Sequence, residues 1–292
     1  MKLHLVDGTY ELYRAHYAPR PGHLAPSGTD AKATVGIVES LLYLLHDQGE
    51  AVSHIAVVFD NPIRSFRNDL FLGYKSDDGV PPELRSQFDA AEEAVRAIGV
   101  AVWSMREYEA DDGLASGARR FRDAVEQVRI LSPDKDLGQC IQGDRVVQID
   151  RRQRKVTNET LFRAERGFGP DSMPDFLALT GDAADGFPGL PGFGKKSAAI
   201  LIGTYEKLER IPADPAHWKV KPRGAIQLAA TLAEHRDDAL LYRHLATLVD
   251  TVPLDVSLDD LQFRGVPRER FERWCDHELG VERLKTVPKR WI

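Results

Sequence analysis

The sequence predicts an α/β fold, a mostly parallel central sheet flanked by helices, followed by a helical C-terminal domain. Three observations carry this. Apolar runs of strand length alternate with segments of helical periodicity in the first half of the chain. Two of these runs end directly in a carboxylate and two more lead into acid-rich segments. Beyond about residue 167 the alternation stops, and the pattern becomes helical apart from one turn dense in Gly and Pro. The expected division is therefore residues 1–167 as a core and residues 168–292 as a smaller helical domain.

Taken in order, residues 3–6 form the first strand and run into Asp7; residues 33–46 carry apolar side chains at helical spacing. Residues 54–59, rich in β-branched and aromatic side chains, form a second strand that runs into Asp60. Residues 64–80 are polar and mixed in charge, which fits a mobile loop or arch better than core. Residues 82–98 open with prolines and continue as one amphipathic helix. A third strand, 100–103, is followed by Glu109, Asp111 and Asp112 at the head of a helix, and a fourth, 128–131, leads into Ser132-Pro133-Asp134-Lys135-Asp136. Ligand sites of open α/β sheets gather beyond the carboxyl ends of the strands, so the acids are expected on one rim as a single anionic site. Residues 224–234 and 237–248 have Leu and Ala at helical spacing and are expected to build the core of the smaller domain.

Composition excludes several classes. Hydrophobic residues at 42% and charged residues at 29% are ordinary for a folded globular chain. Cys140 and Cys275 form neither a CxxC pair nor a disulfide framework, which fits a reducing compartment and disfavours a thiolate zinc site. No leader-like apolar region follows the start, which Asp7 interrupts, and no long uncharged apolar stretch occurs later, so a cytoplasmic protein that engages no membrane is expected. There is no HExxH spacing among the histidines and no GxxxxGK[ST] run. The net charge of -6 looks unsuited to a nucleic-acid ligand. Setting aside the nine carboxylates discussed below, however, leaves 39 basic residues against 36 acids, and local potential outweighs net charge.

The Gly/Pro-dense hairpin lies within residues 179–197. Gly189, Gly192 and Gly194 allow a tight turn and close approach to a ligand. Lys195 and Lys196 add charge where the next helix begins and its amides point outward. This is a helix-hairpin-helix arrangement for gripping a phosphate backbone without reading bases. The plain alternative is a turn joining two helices, and the two lysines favour the phosphate reading.

The acids suit one chemistry. Phosphodiester hydrolysis needs an activated water, neutralisation of the non-bridging oxygens and help for the departing oxygen, which two Mg2+ (or Mn2+) ions about 3.5 to 4 Å apart supply. Such ions prefer oxygen ligands, so a carboxylate cage with no sulfur matches them. Glu109 and Asp112 are three residues apart, so on a helix they face the same way, and Asp182 and Asp185 repeat that spacing. Singly, each acid is equally explained as a strand end or a helix cap; together, at successive strand ends, they are not.

In this order the motifs LVDG, VVFD, FRxxLxxxYK, YEADD, SPDKDLGQ and GDAADGFPGLPGFGKK resemble the 5′-nuclease domain of bacterial DNA polymerase I and its free-standing relatives, the flap endonuclease superfamily. The resemblance covers nearly the whole chain and weakens after about residue 205. It implies a resolvase-like or PIN-like nuclease core. It also implies a first metal cluster of Asp7, Asp60, Glu109, Asp111 and Asp112 and a second of Asp134, Asp136, Asp182 and Asp185. Lys75 matches the family's arch lysine, and Arg67 in the same segment is a second candidate electrophile, the role that Lys or Arg clamps play at a transferring phosphoryl group. A K+ ion on the carbonyls of the hairpin turn is also implied. The expected substrate is DNA with a 5′ end, flap or nick, acted on by a monomer working beside a polymerase and a ligase. Two positions depart from the family: its Asn-Arg pair after the lysine is replaced in the run Ser76-Asp77-Asp78, with Arg85 as the candidate substitute cation, and its Asn after the last aspartate is Gly186. The competing function is a structure-specific DNA-binding protein with little or no cleavage.

Overall fold

The computed structural model describes residues 1–292, which form two compact units. One comprises Met1–Ser65, Asp77–Ser132 and Asp250–Ile292; the other comprises Phe66–Ser76 and Pro133–Val249.

In the first unit, β1 (Lys2–Asp7), β2 (His54–Asp60), β3 (Ala101–Met105) and β4 (Gln127–Leu131) lie parallel in the order β3-β2-β1-β4. In register, Leu5 pairs with Ala56 on one side and with Ile130 on the other. β1 and β2 are buried almost throughout, as strands of a parallel sheet covered on both faces must be. The covering helices are Gly8–Tyr17, Lys32–His46, Phe88–Ala97 and Ala110–Phe121. The single helix anticipated over 82–98 is instead two, Pro82–Arg85 and Phe88–Ala97. Gln87, at the break, is buried. Its side-chain carbonyl accepts from the amides of Ala33 and Thr34 at 2.9 and 3.0 Å, satisfying amides at the start of the Lys32–His46 helix. The C-terminal segment groups with this unit and carries the helix Arg268–Trp274 and shorter helical turns between irregular stretches, with Phe263 donating its amide to Ser53 O at 2.9 Å.

The second unit contains an antiparallel hairpin, β5 (Val146–Asp150) and β6 (Lys155–Thr157), which the sequence reading did not anticipate. Helices Glu159–Arg166, Met173–Thr180, Lys195–Tyr205, Ala225–Glu234 and Arg236–Ala246 follow. Their core includes Met173, Leu177, Phe187, Leu201 and Leu245, with Phe187 stacked on Tyr242 at 5.7 Å between ring centroids. By contacts within the chain, residues 133–167 group with the helical unit and 250–292 with the sheet unit. No helix is long and apolar enough to cross a membrane.

Candidate functional site

The parallel register sets the first group of acids. Asp7 ends β1 opposite Val58, and Asp60 ends β2 opposite Met105, so both stand at the carboxyl edge of the sheet. Each is held by donors from neighbouring elements. Asp7 caps the following helix through the Tyr10 amide at 2.8 Å and accepts from the Ser132 hydroxyl at 2.8 Å. Asp60 accepts from the Ala110 amide at 2.7 Å, which ties it to the start of the Ala110–Phe121 helix. There Glu109 and Asp112 form a capping box, with Asp112 accepting from the Glu109 amide at 3.0 Å, while Ser65 donates to Glu109 at 2.9 Å. Asp111 lies beside them, half-buried. Carboxylates at a helix N-terminus are stabilised by its dipole and amides, so these acids have structural work in addition to any ligand they hold.

The second group lies in the other unit. One carboxylate oxygen from each of the buried residues Asp136, Asp182 and Asp185 falls within 4.8 Å of the others. Asp136 sits in the turn Lys135–Cys140, fixed by its amide's bond to Asp134 Oδ1 at 2.9 Å; Asp182 and Asp185 lie in the hairpin turn, where the Gly186 amide donates to Asp182 O at 2.9 Å. Two ammonium groups meet these acids. Lys135 bonds Asp182 closely and lies 3.4 Å from Asp136 Oδ1, while Lys75 pairs with Asp185 at 2.8 Å. Lys135, which lies between two of the candidate ligands in sequence, was not singled out by sequence reasoning; a cation inside an Asp-Lys-Asp run was the available signal. Burial alone would lower the Lys135 pKa, but the charges of Asp136, Asp134 and Asp182 and the bond to Asp182 outweigh it and hold the ammonium above its ordinary value. Asp136 is pushed well above the ordinary carboxylate value by burial first and by Asp134, Asp185 and Asp182 next, with Lys135 opposing. Its buried Oδ1 has no hydrogen-bond partner. A buried acceptor without a donor, facing two more carboxylates in an all-oxygen donor set, fits a hard divalent cation.

The segment Phe66–Ser76 belongs to this unit. Lys75 donates its amide to Asp185 O at 3.0 Å, and Asn68 donates to Lys75 O at 2.8 Å. The departure at Gly186 has a steric reason: its φ is +89°, and a Cβ there would lie 2.0 Å from the Gly73 carbonyl oxygen. Only glycine admits this backbone contact, which brings Lys75 beside Asp185. Arg67 corrects the sequence reading. It is fully buried, and its guanidinium donates to the carbonyls of Leu245 and Thr247 at 2.8 and 2.9 Å, so it anchors the segment instead of presenting a charge to substrate. Asp77, in the first unit, is 3.9 Å from Arg85, which also lies 5.1 Å over the Phe88 ring; Asp78 is exposed.

The hairpin places Lys195 and Lys196, both exposed, in the first turn of the Lys195–Tyr205 helix. Gly189 (φ +70°) packs back to back with Gly181, since a Cβ on Gly189 would lie 2.2 Å from the Gly181 amide nitrogen. Gly192 also has positive φ, at +79°, whereas Gly194 has an ordinary extended conformation as the residue preceding the helix.

A family model described as the 5′-3′ exonuclease N-terminal resolvase-like domain matches residues 2–167, and one described as the 5′-3′ exonuclease C-terminal SAM fold matches residues 168–269. DNA polymerase I of Pseudomonas aeruginosa is 34% identical over 94% of this chain, which spans 31% of that polymerase's length. A structure of the bacteriophage T5 D15 flap endonuclease, a pseudo-enzyme–product complex with DNA and metal ions, superposes with a TM-score of 0.65 at 16% identity, covering 85% of this chain and 90% of that one. Flap endonuclease-1 from Methanococcus jannaschii gives 0.62 at 14% identity, covering 98% and 90%. At these identities the structural matches establish the fold.

The raised pKa of Asp136 makes the metal-free protein sensitive to pH. Between the ordinary carboxylate pKa of about 3.9 and the raised value, the folded state binds more protons than the unfolded state. This group's contribution to stability therefore falls as pH rises through that window and is fully lost above it. Asp136→Asn replaces the crowded carboxyl with a group that does not titrate, so in EDTA it should flatten the pH dependence of the thermal midpoint. Thermal denaturation across pH in EDTA checks this; a variant whose midpoint follows pH as steeply as wild type would contradict it.

Proposed function

Because the chain belongs to the 5′-3′ exonuclease family, we propose that it is a structure-specific 5′-nuclease that hydrolyses DNA phosphodiester bonds at a 5′ end, flap or nick, using two divalent cations. The observation that carries the proposal is the trio of buried carboxylates Asp136, Asp182 and Asp185, whose donor atoms lie within 4.8 Å of one another around an acceptor with no hydrogen-bond partner. Asp134 joins this cluster by the family motif, and Asp7, Asp60, Glu109, Asp111 and Asp112 would hold the other cation. Bound there, Mg2+ or Mn2+ would neutralise phosphate oxygens and make a water acidic enough to attack at neutral pH.

The chain's own groups supply the rest. Lys75, on a segment whose backbone is docked to the turn bearing Asp185, would offset charge that builds on the scissile phosphate. Arg67 would keep that segment in place through Leu245 and Thr247. Lys195 and Lys196, with the amides opening their helix, would grip the phosphate backbone without regard to sequence, and the hairpin carbonyls are a candidate seat for K+. The metal ions and DNA in the T5 structure support these assignments. The Pseudomonas aeruginosa polymerase, of which this chain spans 31%, supports a role in replication or repair beside a polymerase and a ligase.

Two outcomes test the proposal. Asp112→Asn should abolish cleavage of a flap while leaving its binding within a few-fold of wild type, because a lost metal ligand does not disturb a grip made elsewhere. Cleavage at the wild-type rate would remove Asp112 from the site. Changing Lys195 and Lys196 together to Ala should weaken duplex binding for all sequences and make the salt dependence shallower by up to about 2 units of log-log slope. An unchanged slope in a fluorescence-anisotropy titration would make the hairpin structural only.

A further inference from the structure

We propose that Lys135 is the resident counter-cation of the Asp136–Asp182–Asp185 cluster and that a divalent ion enters by displacing its ammonium, so that Lys135 sets the apparent metal affinity of this cluster. The inference rests on the reading of these acids as a divalent-metal site and adds to it a residue outside the ligand set.

Geometry argues for displacement. The ammonium of Lys135 bonds Asp182 and stands 3.4 Å from Asp136 Oδ1, the buried acceptor with no hydrogen-bond partner. It thus faces two of the three carboxylates that an ion would need. Magnesium requires ligand oxygens at about 2.0–2.1 Å in near-octahedral arrangement, and an ammonium held by the same carboxylates competes with it for them.

The backbone beneath Lys135 is fixed. Asp134 accepts from the Asp136 amide at 2.9 Å, and the turn continues as the 3-10 helix Lys135–Cys140. Only the side chain can therefore leave, and it has somewhere to go, since it is 36% exposed whereas the Asp136 and Asp182 side chains are 8% and 4% exposed. A flexible four-carbon stem with one compact charge is suited to such an exchange, as a guanidinium fork would not be. Lys75 holds Asp185 similarly at 2.8 Å, but its assigned partner is the phosphate, which leaves Lys135 as the cation whose place the metal takes.

In energetic terms, three carboxylates this close repel one another, and without a cation the cluster opposes folding. Lys135 relieves part of that repulsion before metal arrives. The same relief opposes metal entry, because the ion must compete with a charge already present. Removing the ammonium should therefore have opposite effects on the two states: a less stable metal-free protein and a tighter metal site.

The test uses Mn2+ as the probe, with free ion followed by electron paramagnetic resonance, in an Asp112→Asn background that weakens the other acid group. Lys135→Met should tighten Mn2+ binding by about tenfold, a modest share of what unit charges a few ångströms apart exert on each other at surface-like screening. It should also lower the thermal midpoint in EDTA. Lys155→Met, which removes an equally exposed lysine paired with Glu165 in the same unit, should leave the affinity unchanged. Unchanged or weaker binding in Lys135→Met, or an equal shift in Lys155→Met, would overturn the inference while leaving the metal site standing. If adding Asp182→Asn removes no bound Mn2+ from the background protein, the metal-site reading and the inference fall together.

Discussion

Mutual repulsion of carboxylates is the constraint on which this structure turns. The proposed metal chemistry requires several acids close together before any metal arrives, and each like-charged neighbour raises the cost. The two units meet it differently. In the sheet unit the acids end strands or begin a helix, where backbone amides and the hydroxyls of Ser65 and Ser132 donate to them. In the helical unit fewer amides serve, and ammonium groups do: Lys135 on Asp182 and Asp136, Lys75 on Asp185. Asp136 nevertheless remains displaced towards its protonated form.

That compensation depends on close backbone contacts. Lys75 reaches Asp185 because Gly186 lets the Gly73 carbonyl approach, because the Lys75 amide bonds Asp185 O, and because Arg67 anchors the segment from inside the unit. A side chain at 186 would force the segment away, so the family's Asn could not be restored here without rearranging both chains of the contact. After Lys75, Asp77 faces Arg85, so the candidate substitute cation is engaged in an exposed ion pair of small energetic value.

Much of the fold was legible because four strand-length runs recur, two ending in Asp and two leading into acid-rich segments. The register then carries Asp7 and Asp60 to the same sheet edge with no further information. What was not legible depends on partners distant in sequence. Arg67 reads as a candidate electrophile until Leu245 and Thr247 supply its acceptors. The break at Gln87 exists because amides at positions 33 and 34 need a cap. That 250–292 groups with the sheet unit and 66–76 with the helical one has no local signature in the sequence. Lys135 was hidden differently: it lies inside a motif read only for its acids.

Hydrogen-bonded caps and lysine pairs would also suit a protein that only binds branched DNA, and the distinction lies in whether the acids carry metal that does chemistry. The most direct measurement is digestion of a 5′-labelled flap duplex by the wild-type protein with Mg2+ and, in parallel, with EDTA. The account predicts short labelled products with Mg2+ alone and intact, protein-bound flap in EDTA. Intact flap under both conditions, with binding retained, would contradict it.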